Sequence, residues 1–398
     1  MLEGIRVVDV SRVIAGPFAT RILADLGAEV IKVEQPGSGD ETRGWVRGGI
    51  GGEPTSPAFA TFNPGKKSIT LDLKHPPARD ALVRLTESAD VFIHNFRPGV
   101  TERLGIDADT LRKRNPRLVY CGISGFGESG PLAGRPGNDA IAQAYGGLMG
   151  MLGEPGRPPV RCVAPVGDLN AGYNAVVGVL GALLGRERSG TGATISTSLY
   201  ESVMGMMGHY LTDYLTTGEA VGRLGSRNRF AQPNQAFPTA DGYVVVSAVN
   251  DAMWRRAATA MDAPELAVDP RFAAQPDRVA NQDELIRLME EITRRHPSAH
   301  WVETFDRADV LCAPIQSIDA VVADEQAREL GILTETEAET GRTRIPIVAR
   351  QFRVNGDRGR PGRLSTLGEH TAQVLGELGY SADEIDQISV ETPHLSST

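Results

Sequence analysis

The sequence predicts an α/β fold in which helices cover a parallel sheet. The chain has 398 residues, which is enough for one large domain or two ordinary ones. Hydrophobic residues make up 41% and charged residues 23%, which are the proportions of a globular protein and not of a disordered one. Short apolar runs alternate with helical patterns along the first half of the chain. Such alternation is typical of parallel strands that are joined by helical crossovers.

The N-terminal segment predicts a β-α-β unit. The run IRVVDV (5–10) has the composition of a buried strand, and GPFATRILADLG (16–27) has helical spacing. Pro17 suits the first turn of that helix, and Gly27 suits the position just after its last turn. The segment AEVIKVEQPG (28–37) predicts a second strand that ends in a turn.

Three later apolar runs also predict strands. They are KSITLDL (67–73), DVFIHNF (90–96) and RLVYCGIS (117–124). The segment ARDALVRLTESA (78–89) predicts a helix between the first two of these strands. A long helix rich in Gly, Ala and Val is expected to follow Asp168.

The second half of the chain predicts a different organisation. Residues 192–218 predict a short strand and a helix, and residues 219–238 predict a loop that marks a domain boundary. A turn and a strand are expected over 239–251. Helices then continue to about residue 330, with a strand at 310–318, and the tail returns to strands and loops before a last helix over 367–379.

Charge and composition exclude several classes of protein. The net charge is −9 and no block of Lys and Arg occurs, so neither nucleic acid nor an anionic membrane is a predicted partner. The three cysteines are too few and too scattered for a disulfide framework, and no Cys or His cluster has the spacing of metal ligands. The N-terminus lacks the features of a signal peptide, and the longest apolar run, Ala175–Gly185, is too short to span a bilayer. We therefore expect a cytoplasmic protein without a metal site.

Two features are typical of dinucleotide-binding enzymes, but neither has the required context. SGFGESG (124–130) fits G-x-G-x-x-G, yet PLAGRPG follows it, and two prolines and two glycines do not open a helix. Glu34 lies where a ribose-binding acid would lie, but the turn after the first strand, SRVIAG, lacks the glycine triad. The sequence therefore disfavours an NAD-dependent dehydrogenase.

Asp168 is the most informative single residue, because it stands between a Pro-Val-Gly turn and a long run of small apolar residues. One hypothesis is that Asp168 is the N-cap of the helix, which is the commoner role for such an aspartate. The other is that Asp168 is a nucleophile at the mouth of a buried helix. The residues alone leave both hypotheses open.

Six segments together resemble one family, the class III CoA-transferases, which includes formyl-CoA and carnitine CoA-transferases and the 2-methylacyl-CoA racemases. The resemblance covers nearly the whole chain, in the family's order and spacing. The segments are LEGIRVVDVSRVIAGPFATRILADLGAEVIKVE, KSITLDLK, HNFRPGVTERLG, NPRLVYCGISGFGESGP, GDLNAGYNAVVGVLGALLGRERSGTGATISTSLYES and LGEHTAQVLGELG.

The resemblance implies an architecture that local patterns do not give. It implies a Rossmann-like large domain built from both chain ends and a smaller α+β domain built from the middle. Residues 1–200 would form the first part of the large domain, residues 201–330 a linker and the small domain, and residues 331–398 the return linker and the rest of the large domain. Two chains would form an interlocked homodimer.

The resemblance also implies the chemistry. Asp168 would be the nucleophile of an enzyme that moves CoA from an acyl-CoA donor to a small carboxylic acid, through mixed-anhydride and aspartyl-CoA thioester intermediates. Coenzyme A would be a substrate, and no cofactor would be bound permanently. The residues implied to bind CoA are Arg12, Ile14, Ala15, Leu71, Leu73, Asn95, Phe96, Arg97, Arg103, Asn138 and Asp139.

Two departures from the family pattern bear on the reaction. Racemases resembling this chain carry a histidine acid/base at the position of Asn138, and an amide does not shuttle protons at neutral pH. The glycine run that closes over the intermediate in formyl-CoA transferase is missing from residues 224–237, where Arg227 and Arg229 are candidates for binding an acceptor carboxylate. A transferase is thus favoured, and a racemase or a CoA-binding protein without turnover remain the alternatives.

Overall fold

The structure is a computed structural model that describes residues 1–45 and 55–389. Within these residues it has eleven strands: β1 Arg6–Asp9, β2 Glu29–Glu34, β3 Lys66–Thr70, β4 Val91–His94, β5 Val119–Ser124, β6 Thr194–Ser198, β7 Asn234–Pro238, β8 Tyr243–Ser247, β9 Leu311–Pro314, β10 Leu333–Glu337 and β11 Arg344–Val348.

The same residues form nineteen α-helices and a 3₁₀ helix at Glu41–Gly44. The α-helices are α1 Ala15–Asp25, α2 Pro57–Phe62, α3 Pro76–Glu87, α4 Val100–Leu104, α5 Ala108–Arg114, α6 Asp139–Tyr145, α7 Leu148–Met151, α8 Val166–Ser189, α9 Leu199–Met206, α10 Gly208–Thr217, α11 Asp251–Ala260, α12 Glu265–Val268, α13 Gln275–Ala280, α14 Gln282–Thr293, α15 Ser298–Arg307, α16 Ile318–Ala323, α17 Glu325–Glu329, α18 Thr371–Glu377 and α19 Ala382–Ser389. In this described part of the chain, none of the helices combines the length and apolar character that crossing a membrane requires.

Six parallel strands form the main sheet in the order β3-β2-β1-β4-β5-β6, which is the Rossmann order. Strands β4 and β5 are buried at every position, because helices cover both faces of the sheet. Val8 of β1 and Val10, which directly follows this strand, point to the face that carries α3, α5, α18 and α19. Asp9 points to the opposite face, where Thr20 of α1 donates a hydrogen bond to its carboxylate.

Helix α8 lies very close to its neighbours because it carries glycines at the contact points. A Cβ on Gly172 would lie 2.8 Å from the carbonyl oxygen of Ala15, and a Cβ on Gly178 would lie 2.8 Å from the Ile195 side chain. These glycines let α8 pack directly on α1 and β6. These contacts fix the position of α8, whose N-terminal turn contains Asp168, relative to α1 and β6.

The chain divides into two compact units. The first comprises Met1–Leu148, Arg161–Asp213 and Glu325–Thr398, and the second comprises Met149–Val160 and Tyr214–Asp324. These limits differ from the predicted ones at 200 and 330. Residues 201–213 join the first unit because α9 packs on α6 and α8. Residues 149–160 join the second, in which the Gly225 N–H donates to the Gly153 carbonyl oxygen at 2.9 Å.

The second unit is built on the antiparallel sheet β7-β8-β9. Its core contains Trp254, Phe272, Trp301 and Phe305, which are all buried. A separate antiparallel pair, β10-β11, belongs to the first unit. The predicted α/β fold, with a parallel sheet and a smaller mixed unit, is confirmed, and the interlocked dimer stays a prediction.

Most of the predicted elements are present with small shifts at their ends. The five strands expected before residue 125 all occur, and α1 ends at Asp25, followed two residues later by Gly27 at φ 102°. The predicted loop over 219–238 is wrong at its end, where Asn234–Pro238 forms β7. Those residues pair with β8 and alternate between buried and half-buried positions, a pattern that the neighbouring Pro and Asn residues obscured.

Candidate active site

Asp168 lies in the first turn of α8, two residues after the helix begins at Val166. The residue before the helix is Pro165, which makes no capping hydrogen bond, and the Gly167 N–H of this helix end donates to Asp139 and not to Asp168. The N-cap hypothesis for Asp168 is therefore wrong. A helix N-terminus carries partial positive charge, which favours a carboxylate in this turn without a direct hydrogen bond.

The Asp168 carboxylate is partly buried and accepts no hydrogen bond from the residues that the structure describes. Its pKa is raised from 3.8 to about 7, first because burial removes water from the ionised form and second because the negative charge of Asp139 opposes ionisation. A carboxylate without hydrogen-bond donors keeps its lone pairs free, and a raised pKa makes the ionised form more basic. Both properties favour a nucleophile.

Asp139 is held in place beside this carboxylate by two donors. Its Oδ1 accepts from the Gly167 N–H at 2.8 Å, and its Oδ2 accepts from Gln143 Nε2 at 2.7 Å. Gln143 is fully buried, and its side-chain amide also donates to the Cys162 carbonyl oxygen and accepts from the Cys162 N–H. Asp139 therefore couples α6 to the residue that precedes Asp168.

Asn138 has a structural task that its sequence position did not reveal. It is the N-cap of α6, and its Oδ1 accepts from the Ile141 N–H at 3.1 Å. The side chain is otherwise exposed. Its amide is thus committed to the helix end.

A groove of about 380 Å³ lies at the carboxyl ends of the first strands, where Rossmann-like sheets bind their ligands. Four of the residues predicted to bind CoA line it, namely Arg12, Leu71, Leu73 and Phe96. The complete lining is Val10, Arg12, Val33, Glu34, Gln35, Leu71, Asp72, Leu73, Lys74, Phe96, Val100 and Leu104.

Asn95 contributes to this groove through Arg12. Its Oδ1 accepts from the Arg12 N–H at 2.9 Å, and its Nδ2 donates to the Arg12 carbonyl oxygen at 2.7 Å. This reciprocal pair fixes the backbone of the loop after β1. The Arg12 guanidinium then lies 6.0 Å from the Phe96 ring centre and 3.6 Å from the Glu41 carboxylate.

The other predicted CoA-binding residues do not line the groove. Ile14 precedes α1 and Ala15 is its buried first residue. Arg103 is exposed on α4, between the groove residues Val100 and Leu104. Arg97 lines a second cavity of about 310 Å³, which shares Phe96 with the groove. Asp139 lies near Asp168 instead, and Asn138 is the N-cap residue just before it.

Sequence reasoning missed several residues of this region. Lys74 lines the groove next to Leu73, and the alternation of ITLDLK around Leu71 and Leu73 was the signal available for it. The bond between Asp139 and the Gly167 N–H joins residues 28 positions apart, so no local pattern predicts it.

Three further residues that the sequence suggested as ligand-binding groups form ion pairs within the chain. Glu34 accepts hydrogen bonds from Arg43 and Ser68 and is buried, so it serves the fold and not a ribose. Arg227 pairs with Asp283 at 2.6 Å, and Arg229 pairs with Glu219 at 3.2 Å, which leaves each with a carboxylate of this chain. Among the described residues, no group of three or more His, Cys, Asp or Glu side chains is placed to hold a metal ion.

Comparison with known proteins assigns the family. The family model described as CoA-transferase family III matches residues 2–371. The chain belongs to this family. The predicted resemblance, and with it the prediction of a class III CoA-transferase enzyme, is confirmed.

Relatives of this family III CoA-transferase match it over almost its whole length. The succinate–glutarate CoA-transferase of Agrobacterium fabrum is 36% identical over 385 residues, which cover 95% of each chain. The succinyl-CoA:glutarate CoA-transferase of Homo sapiens is 35% identical over 379 residues, which cover 95% of this chain and 86% of the relative. A solved CAIB/BAIF family protein from Brucella suis superposes with a TM-score of 0.84 and 34% identity, covering 95% of this chain and 99% of that one.

Proposed function

We propose that this chain transfers CoA from an acyl-CoA donor to a carboxylic acid, with Asp168 as the covalent nucleophile. The observation that carries the proposal is the Asp168 carboxylate itself, which is partly buried, accepts no hydrogen bond from the described residues and has a pKa raised to about 7. The names of relatives favour short dicarboxylic acids as the acyl group and the acceptor, since two of them act on succinyl-CoA or succinate and on glutarate.

The first half of the reaction would load CoA onto the enzyme. An Asp168 oxygen attacks the thioester carbonyl carbon, the C–S bond breaks, and the CoA thiolate leaves a mixed anhydride behind. The thiolate then attacks the aspartyl carbonyl carbon of that anhydride. The donor acid departs as a carboxylate, and an aspartyl-CoA thioester remains.

The second half would reverse these steps with a different acid. The acceptor carboxylate attacks the aspartyl-CoA carbonyl carbon and expels the CoA thiolate, which forms a second mixed anhydride. The thiolate attacks the acceptor's carbonyl carbon, and the Asp168 carboxylate leaves as the free ion. The new acyl-CoA carries the acceptor, and the enzyme returns to its starting state.

The groove lined by Arg12, Leu71, Leu73, Lys74 and Phe96 would bind the nucleotide part of CoA. Leucine side chains suit the faces of an adenine ring, and the cationic groups of arginine and lysine suit phosphates. In this arrangement, Arg103, exposed on the adjoining helix α4, would reach a phosphate from the rim of the groove.

The test is the mass of the intact protein after incubation with succinyl-CoA, followed by hydroxylamine and peptide mapping. We expect a hydroxamate on the peptide that contains Asp168, and exchange with glutarate as acceptor. Asp168→Asn keeps the shape of the side chain but forms no anhydride, so both signals should disappear. Asp109→Asn, which changes another aspartate in the first turn of a helix, is the matched control and should keep both.

The alternatives give different results in the same experiments. A racemase would exchange the α-proton of a 2-methylacyl-CoA in D₂O without an acceptor acid, and a binding protein would do neither reaction. Asn138 supports the transferase, because its amide caps α6 and carries no titratable proton. Exchange that survives in Asp168→Asn would refute the proposed nucleophile.

We also propose that the chain works as a homodimer. Helix α8 is apolar on all sides from Ala175 to Gly185, and Tyr173, Val177 and Leu184 on its outer face are exposed in the single chain. A helix of this kind is normally covered. Val177→Asp should shift the sedimentation of the protein from dimer to monomer, and a wild-type protein that sediments as a monomer would refute this proposal.

A further inference from the structure

The loop between β1 and α1 contains a strained residue at its centre. Val13 has φ 72°, a left-handed conformation that β-branched side chains rarely adopt. The residues on either side, Arg12 and Ile14, are among those expected to contact CoA. Strain of this kind persists only where the surrounding structure enforces it.

A buried ion pair next to the loop holds Val13 in this conformation. Both carboxylate oxygens of Asp40 accept from the Val13 N–H, at 3.4 and 3.3 Å. Asp40 pairs with Lys32 at 2.9 Å, and both residues are 1% exposed. The Lys32 ammonium also donates to the Ser11 carbonyl oxygen at 3.0 Å, so the same pair holds two positions of the loop.

Asp40 is itself rigidly placed. Its Oδ1 accepts from the Thr42 N–H at 2.9 Å and from the Thr42 hydroxyl at 2.7 Å, and its own N–H donates to Glu34 at 3.0 Å. The carboxylate therefore presents a fixed anionic surface to the loop. Asn95 holds the loop from the side of β4, through both backbone groups of Arg12.

We infer that Asp40, supported by Lys32, is a positioning residue for substrate, which acts by holding Val13 in its left-handed conformation. This conformation reverses the chain after Arg12, so that the Arg12 side chain lines the groove while Ile14 leads into α1. The inference rests on the proposed function, because it assigns the loop to CoA binding. Neither Asp40 nor Lys32 is among the residues that line the groove.

A buried ion pair also has an ordinary structural effect, so the test must separate the two roles. If Asp40 acts through Val13, a glycine at position 13 should make Asp40 dispensable, because glycine adopts positive φ without strain. If Asp40 only stabilises the fold, a glycine in the loop adds flexibility and rescues nothing. The double variant thus distinguishes positioning from stability.

The experiment measures the Kd for CoA by calorimetry, and kcat and KM for succinyl-CoA with glutarate. Asp40→Ala should raise Kd and KM by about tenfold, from the usual strain of such a residue. Its kcat at saturation should stay within about threefold, because Asp168 is untouched. Val13→Gly alone should stay near wild type, and the double variant should recover most of the lost affinity.

Asp40→Asn is the second variant, in case Asp40→Ala fails to fold. It keeps an acceptor for the Val13 N–H but loses the charge that pairs with Lys32, so its affinity should lie between those of wild type and Asp40→Ala. The control is Asp90→Asn, which breaks the pair with the buried Arg186 elsewhere in the same unit. It should lower the urea midpoint without changing Kd.

The outcomes are distinguishable from a failure of the proposed function. A folded Asp40→Ala protein with unchanged Kd would overturn the inference and leave the transferase intact. A loss of affinity that Val13→Gly does not restore would also overturn it, because Asp40 would then act by another route. A wild-type protein that binds no CoA would refute the proposed function and this inference together.

Discussion

Asp168 should destabilise the protein at neutral pH, and Asp168→Asn should relieve that cost. The pKa of Asp168 is 3.8 in the unfolded chain and about 7 in the fold, so folding disfavours the ionised form. At 1.36 kcal/mol per pH unit, the full difference corresponds to roughly 4 kcal/mol. Because the side chain is only partly buried, solvent screening reduces this, and we expect the variant to be more stable by about 1–2 kcal/mol at pH 8.

The sign of the pH dependence makes this prediction specific. The penalty is absent below about pH 4, where Asp168 is protonated in both the folded and the unfolded state. It grows between about pH 4 and about pH 7 and is complete above that range. Urea unfolding of wild type and Asp168→Asn at pH 4, 6 and 8, at equal protein concentration, should show a gap in unfolding free energy that opens with pH.

Asp107→Asn provides a control with the opposite sign. Burial alone would raise the pKa of Asp107, but hydrogen bonds from the N–H and hydroxyl of Thr110 lower it below its usual value. This variant should therefore be less stable than wild type at pH 8, and the gap should close as pH falls. A gap for Asp168→Asn that stays constant with pH, or that has the sign of the control, would refute the reasoning about Asp168.

Three further predictions concern the site and its supports. kcat/KM should rise with pH around a midpoint near 7, the pKa of Asp168. Asp139→Asn should move that midpoint to lower pH, but by less than half of the distance from 3.8 to 7, because burial is the larger cause of the raised pKa. A midpoint that moves to higher pH would contradict this. Gly172→Ala should lower the urea midpoint, since its Cβ would lie 2.8 Å from a backbone oxygen of α1, whereas Gly376→Ala, at an exposed position of α18 where a Cβ meets nothing within 4 Å, should raise it. Equal effects would contradict the packing account. Glu41→Gln removes the exposed carboxylate partner of Arg12 and should tighten CoA binding by up to about fivefold in calorimetry; weaker binding would show that Arg12 needs Glu41.

The strands of the main sheet were predictable because the physics that forms them is local. Strands that are covered on both faces, such as β4 and β5, have nearly continuous apolar sequences. Gly27 marks the end of α1 because glycine readily adopts the positive φ that is common just after a helix. The strand β7 was missed because it lies among Pro and Asn residues that usually mark loops. Its pairing with β8 outweighs that local preference.

The site was only partly predictable for a related reason. The position of Asp168 follows from the family pattern, but its pKa depends first on burial and second on Asp139, whose carboxylate is held by the Gly167 N–H, 28 residues away along the chain. The positive φ of Val13 is not expected from its residue type, because β-branched residues avoid the left-handed region. That conformation depends on long-range contacts, chiefly the bond from the Val13 N–H to the buried Asp40, which joins residues 27 positions apart.

An acidic chain with a net charge of −9 must still present a cationic groove if it is to bind the phosphates of CoA. The structure meets both requirements in part by neutralising Glu34, one of the two acids that line the groove; the other, Asp72, is buried, and its Oδ1 accepts from the Lys74 N–H at 3.0 Å. Glu34 borders the groove, but its two oxygens lie 2.8 Å from the guanidinium of Arg43, so its charge is compensated inside the protein. The Arg12 guanidinium lies 3.6 Å from the exposed Glu41 carboxylate, an ion pair that contributes little and that a phosphate would readily replace. Arg12 and Lys74 therefore supply the positive charge that a phosphate would meet in this groove, which the global charge of the chain does not predict.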